Sequence, residues 1–234
     1  MTMKRNVIII IAAALLACSC TPKSSYYVED YESFVELGDN GFLMTDDGSP
    51  LNVINNMGVS ISKGERKFFI CDILNESSTV VGGYDVEAKS MTDCPIIQPV
   101  KKSEVPEDVL GTKPVFVNMC WISGGYINFQ LYYEYKEKKE DHSFQLVIDD
   151  INMREGLVDL ELRHSDNGDW GIPEEMALNN IYLSFPITKY LSQTYCSLTL
   201  EHKWYKDYPA SPDTDSFTIE GDYSKPDFIQ NGAK

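Results

Sequence analysis

The stretch His164-Ser165-Asp166-Asn167-Gly168-Asp169-Trp170 brings the oxygens of Asp166, Asn167 and Asp169 close in sequence to the imidazole of His164. That composition invites a metal site. A Ca²⁺ loop takes ~6–8 oxygens at alternating positions and closes on a distant bidentate Glu. Neither feature is present. The competing account is a strand end followed by an Asn-Gly turn. There Gly168 supplies a positive φ, and the carboxylates accept backbone N–H bonds. We expect no metal here. His164 is expected to continue a buried strand face as a neutral imidazole bonded to a carbonyl.

The other candidates for chemistry are weaker. Asp149-Asp150 ends a strand, and Asp213 and Asp215 near Glu220 lack the glycine a ligand loop would bend on; both read as solvated carboxylates. His142, His164 and His202 show no HExxH spacing. No Ser sits in a G-x-S-x-G elbow, and no P-loop or dinucleotide fingerprint occurs. No catalytic residue, metal or cofactor is therefore assigned. Fourteen Tyr, with Trp121, Trp170 and Trp204, could supply a sugar- or peptide-binding platform or simply fill cores and rims. Tyr132 stands out, because strand alternation puts it on a polar face with Asn128 and Gln130. Those three form the candidate binding surface.

Six cysteines divide into two groups. Cys18 and Cys20 follow Lys4, Arg5 and the apolar run Val7–Ala17. A charged start, a short apolar core and small residues describe an export signal. The run is short of the ~20 residues that span a bilayer. Leu15-Leu16-Ala17-Cys18 is similar to a bacterial lipobox, so residues 1–17 read as the signal peptide and Cys18 as the lipidated residue. Cys20 is the alternative. Residues 18–25 form a polar tether. Cys71, Cys94, Cys120 and Cys196 lie in strand-like runs in a compartment that permits disulfides. The simple pairs are Cys71–Cys94 and Cys120–Cys196, and the alternative is buried free thiols.

Charge narrows the partners. The chain carries a formal −16, which becomes −18 without the two basic residues of the signal. Nucleic acid is excluded as a partner, because phosphate contacts need a basic surface. Membrane attachment would rest on the N-terminal lipid. The first charges after Cys18 are Lys23 and then Glu29, so an outer-membrane lipoprotein facing the periplasm is expected.

The elements that must position these residues read as strands and turns. Tyr26–Leu37, Phe42–Met44, Leu51–Ile54, Lys67–Ile73, Thr79–Ser90 and Asp93–Val100 are strand candidates. Asp39-Asn40-Gly41 and Asp46-Asp47-Gly48 are turn signals. Gly82-Gly83 within a long strand suggests a bulge or a barrel corner. Ser103–Gly111 reads as a brief helix with Pro106 early and Gly111 at its stop. Past it, alternation is cleaner. Ile127, Phe129, Leu131, Tyr133 and Tyr135 share one face, as do Phe144, Leu146 and Ile148, Val158, Leu160 and Leu162, and Cys196, Leu198 and Leu200. Lys136–Asp141 reads as a charged hairpin loop and Glu174–Asn179 as one helical turn. The fold class is all-β: a small barrel over residues 26–111, then an antiparallel β-sandwich over 112–234.

In this order, the lipobox, the Asp46-Asp47-Gly48 turn, Gly125-Tyr126-Ile127-Asn128-Phe129, Leu160-Glu161-Leu162-Arg163-His164 running into Gly168-Asp169, and Ser184-Phe185 resemble the NigD-like lipoproteins of Bacteroidota. The resemblance covers essentially the whole chain. It implies an OB-like N-terminal domain, a C-terminal β-sandwich and an association with bacteriocin immunity, and it carries no catalytic residues. The leading expectation is a lipid-anchored, non-enzymatic interaction protein of the envelope with a protein or peptide partner. A glycan-binding accessory lipoprotein is the alternative, and an envelope hydrolase the rival of a different class.

Overall fold

A computed structural model describes residues 27–55, 58, 60–151, 157–169, 171 and 175–188, together with the backbone of 196–204 and 213–221. The signal peptide, Cys18, Cys20, the tether and Trp170 lie outside the described residues. So do the side chains of Cys196, His202, Trp204, Asp213, Asp215 and Glu220.

Five strands close a barrel: β1 (Val28–Leu37), β2 (Leu43–Thr45), β3 (Pro50–Val53), β4 (Arg66–Glu76) and β5 (Tyr84–Asp93). Their order is β1-β2-β3-β5-β4, with β3 and β5 parallel and the other pairs antiparallel. This is the OB-like arrangement. Alternation fills the interior with Val35, Leu43, Leu51, Phe69, Cys71, Ile73, Val86 and Ala88. Gly82 and Gly83 do not lie inside a strand. Gly82, at φ +72°, belongs to the turn that enters β5, and a Cβ on Gly83 would meet the Pro50 carbonyl oxygen at 2.2 Å.

The remaining strands are β6 (Val100–Lys101), β7 (Phe116–Ser123), β8 (Tyr126–Tyr135), β9 (Ser143–Ile148), β10 (Leu157–Ser165), β11 (Ala177–Pro186), β12 (Cys196–Trp204) and β13 (Asp213–Gly221). They form a five-stranded sheet, β13-β12-β10-β9-β6, and a three-stranded one, β11-β8-β7. The second is antiparallel throughout; the first is mixed, since β10–β12 and β6–β9 run parallel. The core between the sheets holds the alternating residues expected of it: Ile127, Phe129, Leu131 and Tyr133 against Phe144, Leu146, Ile148, Val158, Leu160 and Leu162.

The helix expected over Ser103–Gly111 is replaced by two 3₁₀ turns, Lys102–Glu104 and Glu107–Val109. Pro106 explains the split. It forces the preceding residue out of the helical region, and Val105 sits at φ −125°, ψ 125°. Nor does the chain change partners at Gly111. Ile97 N–H donates to the Ser184 carbonyl at 3.0 Å, Ser184 N–H donates to that of Pro95 at 3.1 Å, and β6 pairs with β9. By pairing, the segment ahead of Gly111 is already part of the sandwich. Of the turn expected at Glu174–Asn179, Glu174 lies outside the described residues and residues 177–179 belong to β11, which begins at Ala177.

Gly111 itself has a packing role. A Cβ there would lie 2.2 Å from the His164 carbonyl oxygen and 2.5 Å from the Ser165 nitrogen, both backbone atoms. Gly111→Ala is expected to destabilise the chain by about 1–3 kcal/mol, the usual cost of overpacking. Urea unfolding checks this: a midpoint equal to that of the parent would mean that the two backbones part easily.

Candidate functional site

Between barrel and sandwich, Arg66 is buried. Its five N–H donors all find acceptors. Nη1 donates to Glu36 at 2.9 Å and to Asp46 at 2.7 Å. Nη2 donates to Asp46 at 2.6 Å and Asn128 at 3.2 Å, and Nε donates to Ser184 Oγ at 2.9 Å. Its Cζ lies 4.3 Å from the Tyr126 ring centre and 4.7 Å from that of Phe34, within cation–π range. Burial disfavours the charge, but the bonds and charge of Asp46 outweigh it and hold the guanidinium above its ordinary pKa. The network closes on itself: Ser184 Oγ donates to Asn128 Oδ1, Asn128 Nδ2 donates to Ser123 Oγ, and Ser123 donates to Asp46. Around it, Phe34 stacks on Trp121 at 5.2 Å and Phe68 on Tyr182 at 4.2 Å.

Asn128 and Gln130 are therefore not an open binding face. Asn128 is fully enclosed under the barrel, and Gln130 is buried, accepting from Asn118 and donating to Tyr182 Oη. Strand alternation is right, yet the outer side of β8 is covered at that end by the barrel. Only Tyr132 of the three stays partly open. Its ring lies 6.3 Å from Phe116, which is 38% exposed, and Leu178 nearby on β11 is 60% exposed. Met119 on the same side of β7 is also exposed. One register row carries Phe116, Tyr132 and Asn180 across three strands.

The His164–Asp169 stretch forms a second cluster. His164 is buried, and its Nδ1 lies 2.9 Å from the Pro114 carbonyl. Burial pushes its pKa down to about 4. Asn167 and Gly168 turn the chain at φ 47° and 91°. Asp166 accepts the Gly168 N–H and pairs with Lys113 at 2.9 Å. Asp169 serves a neighbouring loop, accepting the backbone N–H groups of Lys136, Glu137 and Lys138. Burial works against its ionisation, yet those bonds and that of His142 prevail and hold it near 2. His142 Nδ1 stands 2.8 Å from His164 Nε2. Asp149 and Asp150 likewise bond locally, Asp150 receiving Ser103 N–H and Asp149 receiving Ile151 N–H.

The expected Cys71–Cys94 bridge does not form. Cys71 is a free thiol inside the barrel, where burial raises it to about 12. Cys94 is free beside the junction, 3.2 Å from Ser184 Oγ and raised by burial to about 11. Cys71, on β4, packs in the barrel core, whereas Cys94, just past the end of β5, packs with Phe34 and Phe68 in a separate cluster. Cys120 is also free, against the sandwich core, which removes the Cys120–Cys196 bridge as well.

Sequence reasoning missed Arg66, Asp46 and Ser184 as a unit. One signal was available: Phe68-Phe69-Ile70-Cys71 is apolar on both faces of β4, as in a strand covered on both sides.

The profile of the NigD-like C-terminal beta sandwich domain matches residues 97–213. Among solved structures, the chain is similar to a NigD-like immunity protein from Bacteroides caccae, at 24% identity and TM-score 0.60, covering 84% of this chain and 100% of that one. It is similar to a protein described provisionally as toxin-related from Parabacteroides distasonis, at 17% identity and TM-score 0.64, covering 86% and 98%. A third, described provisionally as a lipoprotein from Bacteroides fragilis, gives 18% identity, TM-score 0.62 and coverage of 85% and 100%. None of the curated proteins compared matches the sequence. At these identities the neighbours show a shared fold.

Proposed function

The chain belongs to the NigD-like family, and from that premise we propose a lipid-anchored interaction protein of the cell envelope, without catalysis, that binds a protein or peptide partner. The anchor would be Cys18, with the folded part held to the periplasmic side of the outer membrane. One neighbour described provisionally as a lipoprotein and one named as an immunity protein are consistent with such a role. The observation that carries the reading is the partly apolar outer face of β7, β8 and β11. Phe116, Met119, Tyr132 and Leu178 continue outward from an aromatic junction that the barrel has already covered. Interface anchors are typically such aromatic and Met side chains.

A glycan is the second reading, favoured by Asn180, the register partner of Tyr132 on β11. Affinity capture from envelope extracts with mass spectrometry would identify the partner. Phe116→Ala with Tyr132→Ser is then expected to weaken its binding at least tenfold, as loss of an anchor does, while leaving the unfolding midpoint close to that of the parent. Unchanged binding of the captured partner would move the site elsewhere. Capture of an oligosaccharide instead would favour the second reading.

A further inference from the structure

We infer that the His142–His164 pair holds one extra proton between two fixed acceptors, and that this proton clasps the 136–142 loop to the end of the sandwich. The inference is independent of the binding face proposed above.

The contacts of the two rings fix how many hydrogens the pair must carry. At one end His164 Nδ1 meets the Pro114 carbonyl at 2.9 Å. At the other, His142 Nε2 meets Asp169 Oδ2 at 3.3 Å. A carbonyl oxygen can only accept. So can the Asp169 carboxylate, which already receives the backbone N–H groups of Lys136, Glu137 and Lys138. Both outer ring nitrogens must therefore carry hydrogen. The inner nitrogens stand 2.8 Å apart, which requires one hydrogen between them. Two neutral imidazoles supply two hydrogens, and the chain of contacts needs three. The third is one positive charge on the pair.

The surroundings favour one charge and oppose two. From the turn after β10, Asp166 and Asp169 face the pair; from the segment entering β7, Lys113 does, engaged with Asp166. Tyr133 of β8 presents its ring 4.9 Å from His142, and Phe144 of β9 stacks on His164 at 4.7 Å. The loop itself brings Lys136, Glu137, Lys138, Lys139, Glu140 and Asp141. His164 is pushed by burial toward the neutral form, which leaves the charge on His142, against Asp169.

Loss of that proton would set a lone pair of His142 against the Asp169 carboxylate and weaken the loop's tie. A second proton would set two cations in contact. Stability should thus pass through a maximum within the histidine range and fall on both sides.

The chain holds three histidines, so ring ¹⁵N shifts of the purified protein, with His202→Gln to assign the third, read the count directly. At pH 6.5 one ring should carry hydrogen on both nitrogens and the other on Nδ1 alone. Two neutral rings throughout pH 5 to 8 would overturn the inference. In thermal unfolding, the parent midpoint should drop by at least about 4 °C from pH 6.5 to 8.5, and His142→Phe should lose that drop. A parent midpoint unchanged across this interval would also overturn it. If His142→Phe does not fold, the ring shifts of the parent decide alone.

Discussion

Asp46→Ala is expected to cost about 3–5 kcal/mol, the range for stripping one partner from a buried ion pair. Asp46 supplies two of the five acceptors around Arg66 and also receives Ser123. Without it the guanidinium keeps Glu36, Ser184 and Asn128, but its closest counter-charge is gone from a site that excludes water. Arg66 cannot escape by shedding a proton. The replacement of both, Arg66→Met with Asp46→Leu, should be milder than the single change, because the charge left without its partner, Glu36, is about one-third exposed to water instead of buried. Urea unfolding of the three chains measures this. A loss below about 1 kcal/mol for Asp46→Ala would mean that water or Glu36 takes over the role, and that the junction is softer than its geometry indicates.

Acidification is expected to remove about 3 kcal/mol between pH 6.5 and 4 as His164 takes up the second proton of its pair with His142. The His164 pKa in the folded chain is depressed by burial from the ordinary 6.5 to about 4. The unfolded chain then binds the proton more readily, so stability falls as pH falls through that window and this contribution is spent below it. Each unit is worth about 1.4 kcal/mol. Asp169 extends the decline: its folded pKa lies near 2 against an ordinary 3.8, and its stabilisation is lost as pH falls between those values. Comparing urea midpoints of the parent and His164→Gln at pH 6.5 and 4 isolates the first effect. Equal declines in both chains would show that His164 is reached by solvent protons without cost.

Local pattern made much of this legible. Alternation in 126–135, 144–148 and 158–164 found the sandwich core, including the inward turn of His164 onto a carbonyl. The Asn167-Gly168 turn was legible for the same reason, since positive φ leaves few residue choices. What alternation could not show is what lies on the second face of a strand. Asn128 and Gln130 looked wet because they are polar, yet the barrel, distant in sequence, closes over them. Three of the segments that carried the family resemblance meet there: Asp46 from one turn, Tyr126 and Asn128 from β8, and Ser184 from β11 all touch Arg66. Residues that look unrelated along the chain become one network only when two separate units dock. The Cys71–Cys94 pair failed likewise, because spacing says nothing of which core a thiol enters.

The strand margins have a bearing on how the molecule can associate. A barrel that closes leaves no free ladder. In the three-stranded sheet, β7 is interrupted by a bulge between Val117 and Met119, and β11 is strapped at Ser184 by the Pro95–Ile97 segment. In the larger sheet one margin, β6, is only two residues long, whereas the other, β13, runs for nine. Bulges, straps and stubby terminal strands are the usual devices against uncontrolled zippering between copies. If the chain is tethered in one plane, as proposed, the guarded margins at β7, β11 and β6 would limit pairing between neighbouring copies and leave recognition there to side-chain faces instead of open backbone.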